Sequence, residues 1–145
     1  MTRRLQDRVA IVTGAGGGLG RAHAMELAHH GARVVVNDLH SDREGASAHA
    51  VVDAIRHRGG EAMVHVGDVT RYTEMEAMAG QAMAAWGRID ILVNNAGVLR
   101  DRTFAKMSLD DVRSVLEVHV MGAVNSTKAV WPKTRPGNSA LASTS

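Results

Sequence analysis

Cysteine is missing from all 145 residues, which excludes disulfides, thiolate catalysis and cysteine-ligated metal but leaves the redox compartment open. Aromatic side chains are scarce, with one Phe, one Tyr and two Trp, and the net charge is only +2. A nucleic-acid surface wants a basic stripe and stacking rings, so no nucleic-acid partner is expected. Long apolar runs are lacking too. Val9 to Val12, which follows Arg3-Arg4, is far too short for a signal-peptide core, and nothing approaches a membrane-spanning length. No membrane partner is expected, and the cytoplasm is the default compartment. The length gives room for one domain with a modest core.

Against these gaps stands one glycine-dense stretch, Thr13 to Gly20, read TGAGGGLG, between the strand-like run Arg8 to Val12 and the helix-like run Leu19 to His30. A tight glycine turn there brings backbone N–H groups to a pyrophosphate, and the following helix offers its positive end to the same charge. The spacing is Gly14, Gly18, Gly20, with Leu19 where the GxGxxG form has its third glycine. A second apolar run, Ala32 to Val36, leads into Asp38, 18 residues beyond Gly20, close to where a dinucleotide fold puts its ribose-binding carboxylate. Such an acid accepts bonds from ribose hydroxyls and repels a 2′-phosphate, so NAD is expected in preference to NADP. The loop closes with Gly20-Arg21-Ala22 and not Gly-Lys-Ser/Thr, which excludes a P-loop. A plain flexible turn is the blander reading, and the acid in register weighs against it.

Strand and helix patterns then alternate. Ser41-Asp42-Arg43-Glu44 reads as a capping box for a helix with Ala48, Val51, Val52 and Ile55 on one face, ended by Gly59-Gly60. Glu61 to Val66 reads as a third strand. Thr70 is the expected N-cap of a helix carrying Met75, Met78, Ala79, Ala82 and Trp86, with Gly87 as its stop. Ile89 to Val93 forms a fourth strand running into Asn94-Asn95-Ala96-Gly97. Ser108 opens a long helix with Val112, Val115, Leu116, His119 and Ala123 along one side. The expectation is an α/β, Rossmann-type, doubly wound parallel sheet in spatial order 3-2-1-4, truncated after about four strands. From Trp131 the chain reads WPKTRPGNSALASTS, with no β-branched apolar run, so no fifth strand is expected. The division is an incomplete nucleotide-binding domain over residues 1–132 and a disordered or aberrant tail over 133–145. His23, Glu26 and His30 share a helical face at i, i+3 and i+7, but a solvated face explains them better than a metal site, and no metal is expected.

Thr13 to Gly20, Asp38, Asp68-Val69 and Asn94-Asn95-Ala96-Gly97, in that order and spacing, resemble the short-chain dehydrogenase/reductase family over roughly residues 5 to 132. The resemblance implies an NAD-dependent oxidoreductase that moves hydride to or from a small hydroxyl or carbonyl substrate. It implies cofactor contacts from Gly14, Gly18, Leu19, Gly20, Asp38, Asp68, Val69, Asn95, Ala96 and Gly97, with Asp68 and Val69 against the adenine. The stretches Val35 to Leu39 and Asn95 to Phe104 are similar to the dehydrogenase domain of multifunctional β-oxidation enzymes, which implies a 3-hydroxyacyl thioester substrate. It also implies a homodimer or homotetramer paired through the helix over 108–131. The family's base is a Tyr with a Lys four residues later, helped by a Ser. The single tyrosine, Tyr72, is followed by Glu76, and no Tyr-x-x-x-Lys exists in these residues. His119 occupies the position matching the family's relay Asn, as in the multifunctional branch, and is the one catalytic candidate. Family members usually continue from Trp-Pro into a Gly-Arg-Ile strand, so a frameshift or premature end after Lys133 is expected. Two other readings stand beside the enzyme: a truncated, inactive nucleotide-binding fragment, and an interaction piece built on the long helix and an open sheet edge.

Overall fold

A computed structural model describes residues 3–98, 103–134 and 140–143. In chain order the elements are β1 (Val9–Val12), α1 (Gly18–His29), β2 (Arg33–Asp38), β3 (Asp42–Arg43), β4 (Ala46–Ser47), α2 (Ala48–His57), β5 (Glu61–Val66), α3 (Tyr72–Trp86), β6 (Ile91–Asn94), α4 (Leu109–Leu116), α5 (Gly122–Val130) and β7 (Ala140–Ser143). The main sheet is parallel and ordered β5-β2-β1-β6-β7. Its first four members are the expected 3-2-1-4 arrangement of a Rossmann-type sheet.

Both faces of the sheet are covered, which is why its strands read as unbroken apolar runs. Ala10, Val12, Val34 and Val36 point to one side and pack with Ala24 of α1 and Val51, Val52 and Ile55 of α2. Val9, Ile11, Val35 and Leu92 point to the other and pack with Met75, Met78, Ala79 and Ala82 of α3 and Ala129 and Val130 of α5. Alternation along β1 thus feeds two cores from four residues.

Four expectations need correction. The strand β7 lies parallel to β6, from Ile91 opposite Ala140 to Asn94 opposite Ser143, where no fifth strand was expected. The outer edge of β6 offers backbone donors and acceptors that any extended segment satisfies, so β-branched side chains are not required. The capping box at Ser41 does not form. Gly45, with φ +76, reverses the chain into the β3–β4 hairpin, and Ser47 caps α2 by accepting from the Ala50 amide at 3.0 Å. Thr70 does not cap α3, because its hydroxyl donates to Asp68 Oδ1 at 2.7 Å and the N-cap is Arg71. Ser108 does cap α4, with a reciprocal box to Asp111, but the long helix is interrupted by a π turn over Glu117–Met121. No residue of α4 is buried, and Leu116 is exposed where the periodicity places it inward. Gly87 ends α3 as expected, at φ +72.

At the amino-terminal end of β6, Asp90 is fully buried. Its carboxylate accepts from Arg88 Nε at 2.7 Å and Nη2 at 2.6 Å, and from the Val9 amide at 2.9 Å, tying the start of β6 to β1. Burial pushes this carboxyl up, but the Arg88 and Val9 hydrogen bonds and the Arg88 and Arg8 charges outweigh it and hold it below its ordinary 3.8. Its contribution is therefore present above pH 3.8 and lost as pH falls through the lowered folded value. Asp90→Ala strands two arginines and a buried amide, and should cost about 3 kcal/mol in urea unfolding at neutral pH. A loss within error of zero would show that this cluster does not hold the strand pair.

Candidate dinucleotide site

The expected site residues gather at the carboxyl-terminal ends of β1, β2, β5 and β6, the edge at which open parallel sheets bind ligands. Thr13, just past β1, organises it. Its buried hydroxyl accepts from the Asn95 amide at 3.1 Å and the Ala96 amide at 3.0 Å, and donates towards the Val93 carbonyl at 3.5 Å. The Asn95 side chain donates from Nδ2 to the Gly14 carbonyl at 3.1 Å. A Cβ on Gly20 would collide with that carbonyl and with Asn95 Nδ2, and one on Gly14 would stand 2.8 Å from Ala96 Cα. Gly14 and Gly18 take left-handed backbone angles, φ +62 and +55. The glycines are thus required by contact and by turn geometry together.

The helix α1 starts at Gly18 with Gly17 as N-cap, no capping side chain and no acid in its first turn. Its first amides have no intrahelical acceptor, so they and the helix dipole favour an anion there. Nothing lies within 4 Å of where a Cβ on Gly18 would be. This corner is open and the first turn carries no acid, which suits it to an anion such as a pyrophosphate. Leu19 follows, largely exposed.

Asp38 ends β2 with its carboxylate on the glycine loop: Oδ2 accepts from the Gly16 amide at 2.9 Å and Oδ1 from the Leu39 amide at 2.8 Å. The β3–β4 hairpin supports the same loop, since Ser47 N–H donates to the Gly16 carbonyl at 2.8 Å. Leu39 and Val66, the latter paired in register with Asp38, are 52% and 48% exposed, so apolar surface flanks the acid. Asp68 closes a small turn by accepting the Thr70 amide at 2.9 Å and the Thr70 hydroxyl. The Val69 carbonyl is held by Asn125 Nδ2 of α5 at 3.0 Å.

Gly97 continues the Asn95-Ala96 turn, and a Cβ there would stand 2.6 Å from the His119 ring. His119 Nε2, in the π turn, lies 3.0 Å from both the Val98 amide and the Val98 carbonyl. One tautomer accepts from the amide and the other donates to the carbonyl. Tyr72 opens α3, partly exposed. Ser143 is on β7, paired opposite Asn94. Ser139 and Ser145 lie outside the described residues. Glu26 pairs with His30 at 3.0 Å, and among the described residues no cluster of three acidic or histidine side chains forms a metal site. A cavity of about 320 Å³ lies at the opposite end of the sheet, beside Arg33 and Glu61, and contains none of these residues.

The family sequence pattern described as short chain dehydrogenase matches residues 8–141. The chain belongs to the short-chain dehydrogenase/reductase family. Members of this family are oxidoreductases. The chain is 43% identical over 143 residues to the mouse (Mus musculus) peroxisomal multifunctional enzyme type 2, covering 93% of this chain and 19% of that one. It is 40% identical over 126 residues to a 3-oxoacyl-acyl-carrier-protein reductase of Synechocystis, covering 87% and 50%. A short chain dehydrogenase from Burkholderia cenocepacia, in complex with NADP, superposes with a TM-score of 0.87 at 33% identity, covering 97% of this chain and 56% of that structure. The chain therefore spans from a fifth to about half the length of these members of the family.

Within this family site, sequence reasoning missed Thr13 as the central acceptor, Asn125 as the brace of Val69, and Asn37 with His65. Asn37 and His65 are buried in register, Nδ2 to Nδ1 2.9 Å. Burial lowers the His65 pKa below its ordinary 6.5, against the opposing charge of Glu74. A polar residue inside an otherwise apolar strand was the available signal for both. Gly20→Ala should reduce stability by about 2 kcal/mol and abolish nucleotide binding, because the methyl group must displace the Gly14 carbonyl. Circular dichroism melting with an NADH fluorescence titration checks it, and parental affinity in the variant would refute the contact argument.

Proposed function

We propose that these residues form the nucleotide-binding part of an NAD-dependent oxidoreductase acting on the hydroxyl or carbonyl of a small molecule, a 3-hydroxyacyl thioester in particular. The observation that carries the reading is the convergence of the open Gly18 corner, the uncapped start of α1 and the Asp38 carboxylate at one sheet edge. The first amides of α1 would receive the pyrophosphate. Asp38 would exchange its Gly16 contact for ribose hydroxyls and repel a 2′-phosphate, which supports NAD over NADP. Asp68 and Val69, with Leu39 and Val66, offer the adenine a wall, and Asn95, Ala96 and Gly97 lead towards the nicotinamide. When bound, the nicotinamide supplies the hydride acceptor or donor. Support for an acyl thioester comes from the name of the Synechocystis reductase, which belongs to that protein.

His119 is proposed as a relay or positioning group through Val98. No Tyr-x-x-x-Lys is present in these 145 residues, which favours a second reading: on their own they bind nucleotide without turning substrate over. Residues 1–132 are proposed as the binding domain, with 133–145 an aberrant segment that nonetheless contributes β7. Exposed Leu109, Leu116, Val120, Val124 and Trp131 along α4 and α5 support pairing of the 108–131 helix with a second copy. Among the described residues no helix is long and apolar enough to cross a membrane. The cytoplasm is proposed as a default from the shortness of the apolar runs in the sequence, while the mouse relative's name describes that protein as peroxisomal.

Calorimetric titration of NAD and NADP into the folded chain and into Asp38→Ala tests the assignment. NAD affinity should fall about tenfold in the variant, equivalent to 1.4 kcal/mol, and the preference over NADP should narrow. Equal affinities in the two proteins would remove Asp38 from the site. Incubation of the chain with NAD and a 3-hydroxyacyl thioester should give no NADH, and measurable turnover would overturn the second reading.

A further inference from the structure

Asn37 lies one residue from the proposed ribose acid and His65 one residue from Val66 of the proposed adenine wall, yet both are buried. Asn37 is 1% and His65 8% exposed. Asn37 Nδ2 donates to His65 Nδ1 at 2.9 Å and reaches the Gly67 carbonyl at 3.3 Å and the His65 carbonyl at 3.4 Å. Its Oδ1 is buried without a hydrogen-bond partner. Gly67 in turn donates to the Asp38 carbonyl at 3.0 Å, and a Cβ on Gly67 would collide with the His65 ring. One amide group therefore holds the ring, the Gly67 peptide and the end of β2 in a single arrangement.

That arrangement requires a bare Nδ1. A second proton on the ring would put a donor at Nδ1 facing the Asn37 NH2, two donors with no acceptor between them. Rotating the amide by half a turn brings the orphan Oδ1 to the new N–H, but sets the same oxygen against the Gly67 and His65 carbonyls. The bond to the Gly67 carbonyl is then lost, and the turn that carries Asp68 and Val69 is left tied to β2 only through the Gly67 amide and the Asp38 carbonyl. The charges around the ring do not prevent this. Glu74 on α3 favours the proton and is itself 3.6 Å from Arg71, β2 presents neutral Asn37, and the carboxylates of Asp38 and Asp68 are engaged by Gly16, Leu39 and Thr70. Burial and the facing Asn37 NH2 oppose protonation, and among the described residues no cation does.

We propose that Asn37 and His65 are positioning residues for nucleotide binding, fixing the Gly67–Val69 turn beside Asp38, and that a proton on His65 releases it. The proposal rests on the nucleotide reading of this edge. It makes affinity fall under mild acid, as the ring takes its second proton.

ADP-ribose is titrated calorimetrically into the parent chain and into His65→Gln at about pH 8 and at a pH below the midpoint of the His65 ring as read by NMR, since burial sets that midpoint under the ordinary histidine range. The parent should lose about fivefold in affinity at the lower pH, a coupling of about 1 kcal/mol. His65→Gln, whatever its affinity at the higher pH, should lose much less, since every other group is common to the two proteins. An equal loss in the two proteins overturns the proposal. The parent without nucleotide supplies the second measurement: in NMR spectra the Gly67, Asp68 and Val69 amide signals should move with the same midpoint as the His65 ring. A ring that titrates while those amides stay still overturns the proposal even if the variant fails to fold. A folded parent that binds no ADP-ribose at the higher pH sinks the nucleotide reading instead, and the amide titration then decides the His65 coupling by itself.

Discussion

Two turns leaving neighbouring strands are locked to each other through one hydroxyl and one amide, and the rest of the site is arranged around that lock. Thr13 Oγ1 takes the Asn95 and Ala96 amides, and Asn95 Nδ2 takes the Gly14 carbonyl. Each bond is worth about 1 kcal/mol net, but a lost partner leaves a part-buried amide unpaired at greater cost. Gly20 must lack a side chain for the Asn95 amide to stand where it does, and Gly14 must be left-handed for its carbonyl to face that amide. The start of α1 is consequently set in place by β6, a strand some eighty residues away in the chain.

Much of this was legible because it rests on local rules. Glu61–Val66 matches its element end to end, Gly87 ends α3 in the left-handed conformation, and Ser108 caps α4, since each depends on a few neighbouring residues. The glycine loop, Asp38, Asp68-Val69 and Asn95 to Gly97 do come to one edge, as parallel strand order demands. What escaped depends on partners distant in sequence. Ser41 looked like a cap only while the reversal at Gly45 was unseen, and Ser47, one turn later, took the role. Strand β7 has no propensity signal of its own and forms on an edge that β6 provides. Thr13, Asn37 and His65 were visible as polar residues in apolar company, but the group each one meets lies on another strand or turn.

The π turn at Glu117–Met121 brings a site residue and an exposed surface together in one short stretch. His119 within it meets the Val98 peptide, while Leu116, Val120 and Met121 beside and within it are exposed. A part-buried imidazole and an exposed apolar strip thus share the same segment of helix.

Gly16 is gripped from two directions, by Asp38 at its amide and by Ser47 at its carbonyl. The first turn and the connection after β2 are thus one mechanical unit. Replacing the acid alone removes an anchor of the loop along with a charge. If Asp38 takes the proposed ribose role, a change of coenzyme preference has to carry the segment from residue 38 to the hairpin, together with the loop residue it clasps, as a single cassette.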